Sequence, residues 1–229
     1  MERTPRSVEA IIERQVKQWE LQRQARSKQE RTPPPVITVS RQYGARGAAV
    51  ARATAERLGF DCWDRELLDG IASSTDAPRS LLATLDEHRK DVIRERLAVL
   101  GAHKPLTASD YGRRLFDVLQ TIASHGKAVV VGRGAESLLD PASTLRVRVV
   151  APLEQRVRGL AERNRISETQ ARSTLAEIDA DRRDFMRQHY GRDASDATAY
   201  DLVINMERIS VPAATSIVVA AFQARFGTP

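Results

Sequence analysis

The chain has 229 residues, of which 41% are hydrophobic and 29% charged, so wholesale disorder is excluded and a core of ordinary domain size is expected. No run approaches the ~18 apolar residues of a membrane span, the opening MERTPRSVEA lacks the apolar stretch of a signal peptide, and the lone Cys62 excludes an intrachain disulfide, which makes a cytoplasmic protein the expectation. The net charge is +6, and the excess lies in residues 1–35 (eight Lys+Arg, five Asp+Glu) and 156–192 (nine against six); with aromatics at only 5%, this favours a local anion site over a nucleic-acid surface.

In chain order, Val8, Ile11, Ile12, Val16 and Trp19 recur at helical spacing, predicting a helix over 8–30 that TPPP at 32–35 ends. Residues 1–35 are therefore an added helix and linker. Its apolar stripe calls for a cover, either the domain itself or a second copy in a homodimer. The main domain, 36–229, opens on the buried strand VITVS (36–40), followed by RQYGARG and a helix from Ala48 to Leu58 that Gly59 stops. FDCWD (60–64), KAVVV (127–131), LRVRVVA (145–151) and YDLVIN (200–205) read as further strands, and GRGAESLL after the third turns into a helix. Helices are expected at 65–72, 110–125, 153–164, 168–189 and 212–225, and 86–100 is compatible with one. The stretch 73–109 is the least legible, with GAHKPLTASD as a loop. Alternating strands and helices predict an α/β fold with a mostly parallel five-stranded sheet flanked by helices. Ligands bind such sheets at the carboxyl ends of the strands, so 41–47, 64–66, 132–135 and 205–208 are the places to inspect.

Four constellations stand there or nearby. In Ser40-Arg41-Gln42-Tyr43-Gly44-Ala45-Arg46-Gly47, two glycines let backbone N–H groups line a concavity at a helix start, and Arg41 and Arg46 add fork-like donors. The alternative is a plain tight turn with arginines in solvent. Gly132-Arg133-Gly134 would let a ligand approach the backbone beside Arg133. A helix capped by Ser167 and Gln170 carries Asp179, Asp181, Arg182, Arg183, Asp184 and Arg187, with Arg192 beyond it. Asp179 and Arg183, one turn apart, either pair on a solvated face or belong to a basic lid over phosphates. Asp64, followed by Arg65 and Glu66, either binds a polar ligand or caps the next helix. Cys62 reads as buried filler. The four histidines are scattered and lack cysteine partners, so no metal site is expected.

Taken in this order, the pieces resemble the cytidylate kinase-like family of nucleoside monophosphate kinases, which has the P-loop fold. The matching stretches are ITVSRQYGARG (37–47), RATAERLGFDCWDREL (52–67), VVVGRGAESLL (129–139), VAPLEQRVRGLAERNRIS (150–167), the Asp179-x-x-Arg182-x-x-Phe185 spacing and YDLVIN (200–205), together spanning about 36–225. The resemblance implies phosphoryl transfer from ATP, with Mg²⁺ bridging its phosphates, to a pyrimidine nucleoside monophosphate such as CMP or dCMP. It implies that Arg41, Tyr43, Gly44, Ala45, Gly47 and Ala48 hold ATP phosphates and that Asp64, Arg65, Gly132 and Gly134 face the acceptor. Arg46, Arg133, Arg182, Arg183 and Arg187 would act on the transferred group, the last three from a lid over 165–192. The loop departs from the P-loop motif G-x-x-x-x-G-K-[ST]: laid without gaps on a typical cytidylate kinase loop, Gly47 takes the lysine position and Ala49 the hydroxyl position, and Arg46 is expected to replace the lysine. Val131 stands where Asp usually precedes Gly-Arg, and Gly70 where an acceptor-binding arginine falls. Two expectations follow: an active kinase, or a catalytically weak or inactive nucleotide-binding regulatory protein on the same fold.

Overall fold

The computed structural model describes residues 8–25, 34–74, 76–101 and 109–228. In chain order the helices are α1 (Val8–Ala25), α2 (Gly47–Leu58), α3 (Arg65–Ser73), α4 (Ala77–Ala83), α5 (Glu87–Gly101), α6 (Asp110–His125), α7 (Ala135–Leu138), α8 (Leu153–Asn164), α9 (Glu168–Tyr190) and α10 (Val211–Phe226). The strands are β1 (Val36–Arg41), β2 (Asp61–Trp63), β3 (Ala128–Val131), β4 (Thr144–Val150) and β5 (Leu202–Asn205). The chain divides into two compact units, one made of 1–34 with 65–126, the other of 35–64 with 127–229.

The second unit holds the sheet. Its order is β2-β3-β1-β4-β5, and every pairing is parallel. β1 is central, so Val36 to Ser40 are buried without alternation, as a strand covered on both faces requires. Ile37 pairs with Val129 and Leu145, and Val39 with Val131 and Val147, which aligns the β-branched side chains into one apolar layer. α2 and α10 cover that layer through Val50, Ala51, Val218 and Phe222. In β4 the same face carries Leu145, Val147 and Val149, so Arg146 and Arg148 point to the other face by the period of two. α8 and α9 form a smaller core of their own from Val157, Leu160, Ala161, Ala171 and Leu175. α9 starts on the expected capping box, in which Ser167 Oγ accepts from the Gln170 N–H and the Gln170 side chain returns the bond to the Ser167 N–H.

The first unit is helical. Trp19 of α1 stacks on His125 at the end of α6, with ring centroids 4.0 Å apart and planes within 9°. His125 Nε2 in turn lies 2.8 Å from Thr84 Oγ1. Ile12, Gln15 and Trp19 are buried within the chain, and Ile11 and Val16 are half-buried. The segment 73–109 contains α4, which the sequence did not announce. Pro78 reads as a breaker there, but it stands in the first turn, where its missing N–H has no helical partner to lose. Residues 26–33 of the expected first helix and linker, and 102–108 of the expected loop, lie outside the described residues. The second strand is shorter than expected because the Phe60 N–H bonds back to Ala55 O as part of the α2 exit. Among the described residues no helix is long and apolar enough to cross a membrane.

Candidate functional site

β1 ends at Arg41 and α2 starts at Gly47, and the loop between is tied down at Gln42 and Tyr43. The Gln42 N–H donates to Val149 O (3.1 Å) and the Gln42 side chain accepts from the Ala151 N–H (3.0 Å), which ties the loop to the end of β4. The Tyr43 N–H donates to Asp179 Oδ1 (3.1 Å), and Tyr43 O accepts from Arg156 Nη1 (3.1 Å). Arg156 also pairs with the Asp179 carboxylate and donates from Nε to Ala151 O, with its side chain only 7% exposed. Arg182 Nη1 donates to Arg41 O (2.9 Å), and its guanidinium lies over the Tyr43 ring. Asp179 is thus the partner of Arg156 and of the loop backbone. Arg183, the pairing alternative offered by the sequence, is exposed, as is Arg187. Arg46 takes a left-handed φ of 61° as the residue before the helix. The first bonds into α2 run from the Ala49 and Val50 N–H groups to Arg46 O, so Gly47 and Ala48 carry their N–H groups at the open positive end of the helix. Beside that end lies an open cleft lined by Gly44, Ala45, Arg46, Gln155, Arg158 and Arg163 among others.

The second turn, 132–134, has three successive left-handed residues, with φ of 81° at Gly132, 58° at Arg133 and 64° at Gly134. The sequence reserves the space above the glycines for a ligand. In the structure the chain fills it: a Cβ on Gly132 would overlap the Arg41 guanidinium, and one on Gly134 would overlap the Tyr190 ring. The Tyr190 hydroxyl donates to Arg133 O, and the Arg133 guanidinium lies 5.2 Å from the Phe185 ring centroid.

Where β1 pairs with β4, at Ser40 and Arg148, stands a polar network that sequence reasoning missed. Arg148 Nη1 donates to Ser40 Oγ (2.7 Å), and the Tyr200 hydroxyl reaches both Ser40 Oγ (3.3 Å) and Ala194 O (3.1 Å). Glu136, directly after the second turn, is buried. Burial pushes its carboxyl pKa up, against the pull of Arg148, Arg41 and Arg192 nearby. The only sequence trace of Arg148 is its polar place in LRVRVV. Arg156 left none, since its partner Tyr43 is 113 residues away.

Asp64 follows β2, near Cys62, whose thiol is pushed up to about 11 by burial and by the Asp64 carboxylate. That makes the thiol a poor nucleophile. Arg65 opens α3 in the helical unit, where it pairs with Asp69 at 3.6 Å. Among the described residues no group of three or more His, Cys, Asp or Glu is placed to hold a metal ion.

A family model described as cytidylate kinase-like matches residues 36–208. The chain belongs to the cytidylate kinase-like family. It is 28% identical over 125 residues to a cytidylate kinase of Staphylothermus marinus, a match covering 54% of this chain and 68% of that one. Its fold is shared with the crystal structure of an uncharacterized protein from Eubacterium ventriosum ATCC 27560, at a TM-score of 0.63 and 20% identity over 83% of this chain and 99% of that one. The sheet is all parallel in the order β2-β3-β1-β4-β5, and the candidate site occupies the carboxyl edge of its central strands. This member of the cytidylate kinase-like family lacks a lysine at 47 and a hydroxyl at 48 or 49.

Proposed function

We propose that this protein transfers the terminal phosphoryl group of ATP to a pyrimidine nucleoside monophosphate, CMP or dCMP. One observation carries the reading within this family: Arg41, Arg133, Arg148 and Arg182 gather around the carboxyl ends of β1, β3 and β4, beside the open end of α2. In the transfer, an acceptor phosphate oxygen forms a bond to the terminal phosphorus while the bond to the bridging oxygen breaks, and ADP leaves with that electron pair. Little proton chemistry is required, so the need is for fixed positive charge around the equatorial oxygens, which guanidinium forks supply. The cleft beside Arg46 is assigned to the donor, with its phosphates on the N–H groups of 44–48. Asp64, Gly132 and Gly134 remain assigned to the acceptor side. Magnesium does not fit as a protein-held ion, because Ala48 and Ala49 offer no hydroxyl and no acidic cluster stands nearby among the described residues. It would arrive bridging the ATP phosphates, and no step here is assigned to it.

A second reading, nucleotide binding with little or no catalysis, is favoured by Gly47 and Ala49 and by the Asp179 carboxylate that occupies the Tyr43 N–H. A transfer assay with ATP and CMP, dCMP or UMP, run beside thermal melting with the same nucleotides, separates the two. Turnover supports the kinase. Stabilisation by nucleotides without turnover supports the second reading, and neither effect in cooperatively folding protein removes both.

A further inference from the structure

We propose that Arg41, rather than Arg46, is the catalytic cation of the loop, delivered from the first loop position instead of the last. The inference rests on the phosphoryl-transfer reading above. Set against G-x-x-x-x-G-K, Arg41 occupies the first glycine position and Gly47 the lysine position, so a cation and a glycine have changed ends. The structure shows why the exchange is reciprocal. A Cβ on Gly47 would lie 2.6 Å from Arg41 Cβ and 3.2 Å from Arg41 Cγ, so the stem of Arg41 runs through the space in which any side chain at 47 would begin. Gly47 is not in the left-handed region, so it is glycine for lack of room and not for backbone freedom. The same stem carries the guanidinium over Gly132, where a Cβ would overlap Nη1. Two glycines 85 positions apart in sequence therefore accommodate one arginine, Gly47 under its stem and Gly132 under its head.

The head is thereby placed at the carboxyl ends of the adjacent strands β1 and β3, beside the backbone of Arg133. Arg182 holds the Arg41 carbonyl oxygen at 2.9 Å, and the buried Glu136 carboxyl is close enough to feel its charge. Arg46 differs on each count. It is exposed, and it opens into the cleft with Arg158 and Arg163. During transfer Arg41 keeps its proton and forms no covalent bond. Its N–H groups donate to oxygens of the phosphoryl group whose bond to ADP is breaking and whose bond to the acceptor is forming.

Two sets of variants test this. The first needs no nucleotide: thermal unfolding of G47A, R41G and the double variant. G47A is expected to lower the melting temperature in the wild-type background and not in the R41G background; additive effects would overturn the shared space. The second set reads ATP affinity by calorimetry and transfer to CMP. R41A and R41M, the latter keeping a stem without charge, are expected to lose about tenfold in affinity and about a hundredfold in rate, with R46A losing less in both. R41G/G47K, which moves the cation to the usual position, is expected to recover most of what R41G loses, while G47K alone does not. A larger loss in R46A than in R41A overturns the assignment and leaves the kinase reading standing. If wild-type protein with the 41–47 coupling intact neither binds ATP nor transfers phosphate, the kinase reading falls and the role of Arg41 with it.

Discussion

The loop at 41–47 and the turn at 132–134 begin alike and are fastened differently. Each follows a buried parallel strand, and each holds an arginine in the left-handed region, at φ 61° for Arg46 and 58° for Arg133. The first is fastened by charge: Arg156 and Asp179 clasp the backbone of Tyr43, and Arg182 takes Arg41 O. The second is fastened by rings: Tyr190 sits on Gly134, and Phe185 lies under the Arg133 guanidinium. Both fastenings draw on α9, within twelve residues of one another, Asp179 to Tyr190, with Arg156 added from α8. One helix thus helps to secure a polar loop with buried ions and a glycine-flanked turn with aromatic packing.

The comparison breaks most readily at the charged fastening. D179A leaves Arg156 buried without its carboxylate and the Tyr43 N–H without its acceptor, and is expected to lose about 3 kcal/mol in urea unfolding. Close behind is G134A, which drives a methyl group into the Tyr190 ring at a left-handed position and is expected to lose about 2–3 kcal/mol in the same measurement. Added salt is expected to leave exchange protection at 41–47 in place in hydrogen-exchange mass spectrometry, because the Arg156–Asp179 pair is buried and little screened.

A pH series sharpens the second turn. The buried Glu136 carboxyl titrates above its ordinary value of 4.5, so the folded state holds its proton where the unfolded state has lost it. Its contribution to stability is therefore full below about 4.5 and is lost as the pH rises through the raised value. E136Q is expected to flatten that decline, read as unfolding free energy between pH 5 and 8; an unchanged slope would assign the decline to another group. The smallest effect is R46G. Glycine relieves the left-handed strain but adds chain entropy, for a net gain of about 0.5 kcal/mol by thermal unfolding, with weaker ATP binding as the counterpart.

The fold was legible where local signals and burial agree. The helix predicted at 153–164 spans those residues, and the capping box located the start of α9, because apolar spacing and caps act within a few residues. α4 escaped because Pro78 carries the same sign at a helix start as at a helix end. The site was legible in place but not in wiring. The sequence directed attention to 41–47 and 132–135 through the strand-end rule, and the structure places both segments at the carboxyl ends of β1 and β3. It could not show that Asp179 serves Tyr43 instead of Arg183, since helical spacing makes the near partner the natural one and only the packing of α8 on α9 brings Arg156 between them. It also could not show that the space over Gly132 and Gly134 takes the Arg41 and Tyr190 side chains.

The shared space of Arg41 and Gly47 also constrains descent. A lysine arriving at 47 while Arg41 is present collides with it, and an Arg41 lost first leaves the loop without its central cation. Either order of single substitutions passes through a damaged ancestor, so the two positions are expected to have changed together or not at all. Once taken, the exchange holds a lineage to its unusual loop, by crowding on one path and by lost charge on the other.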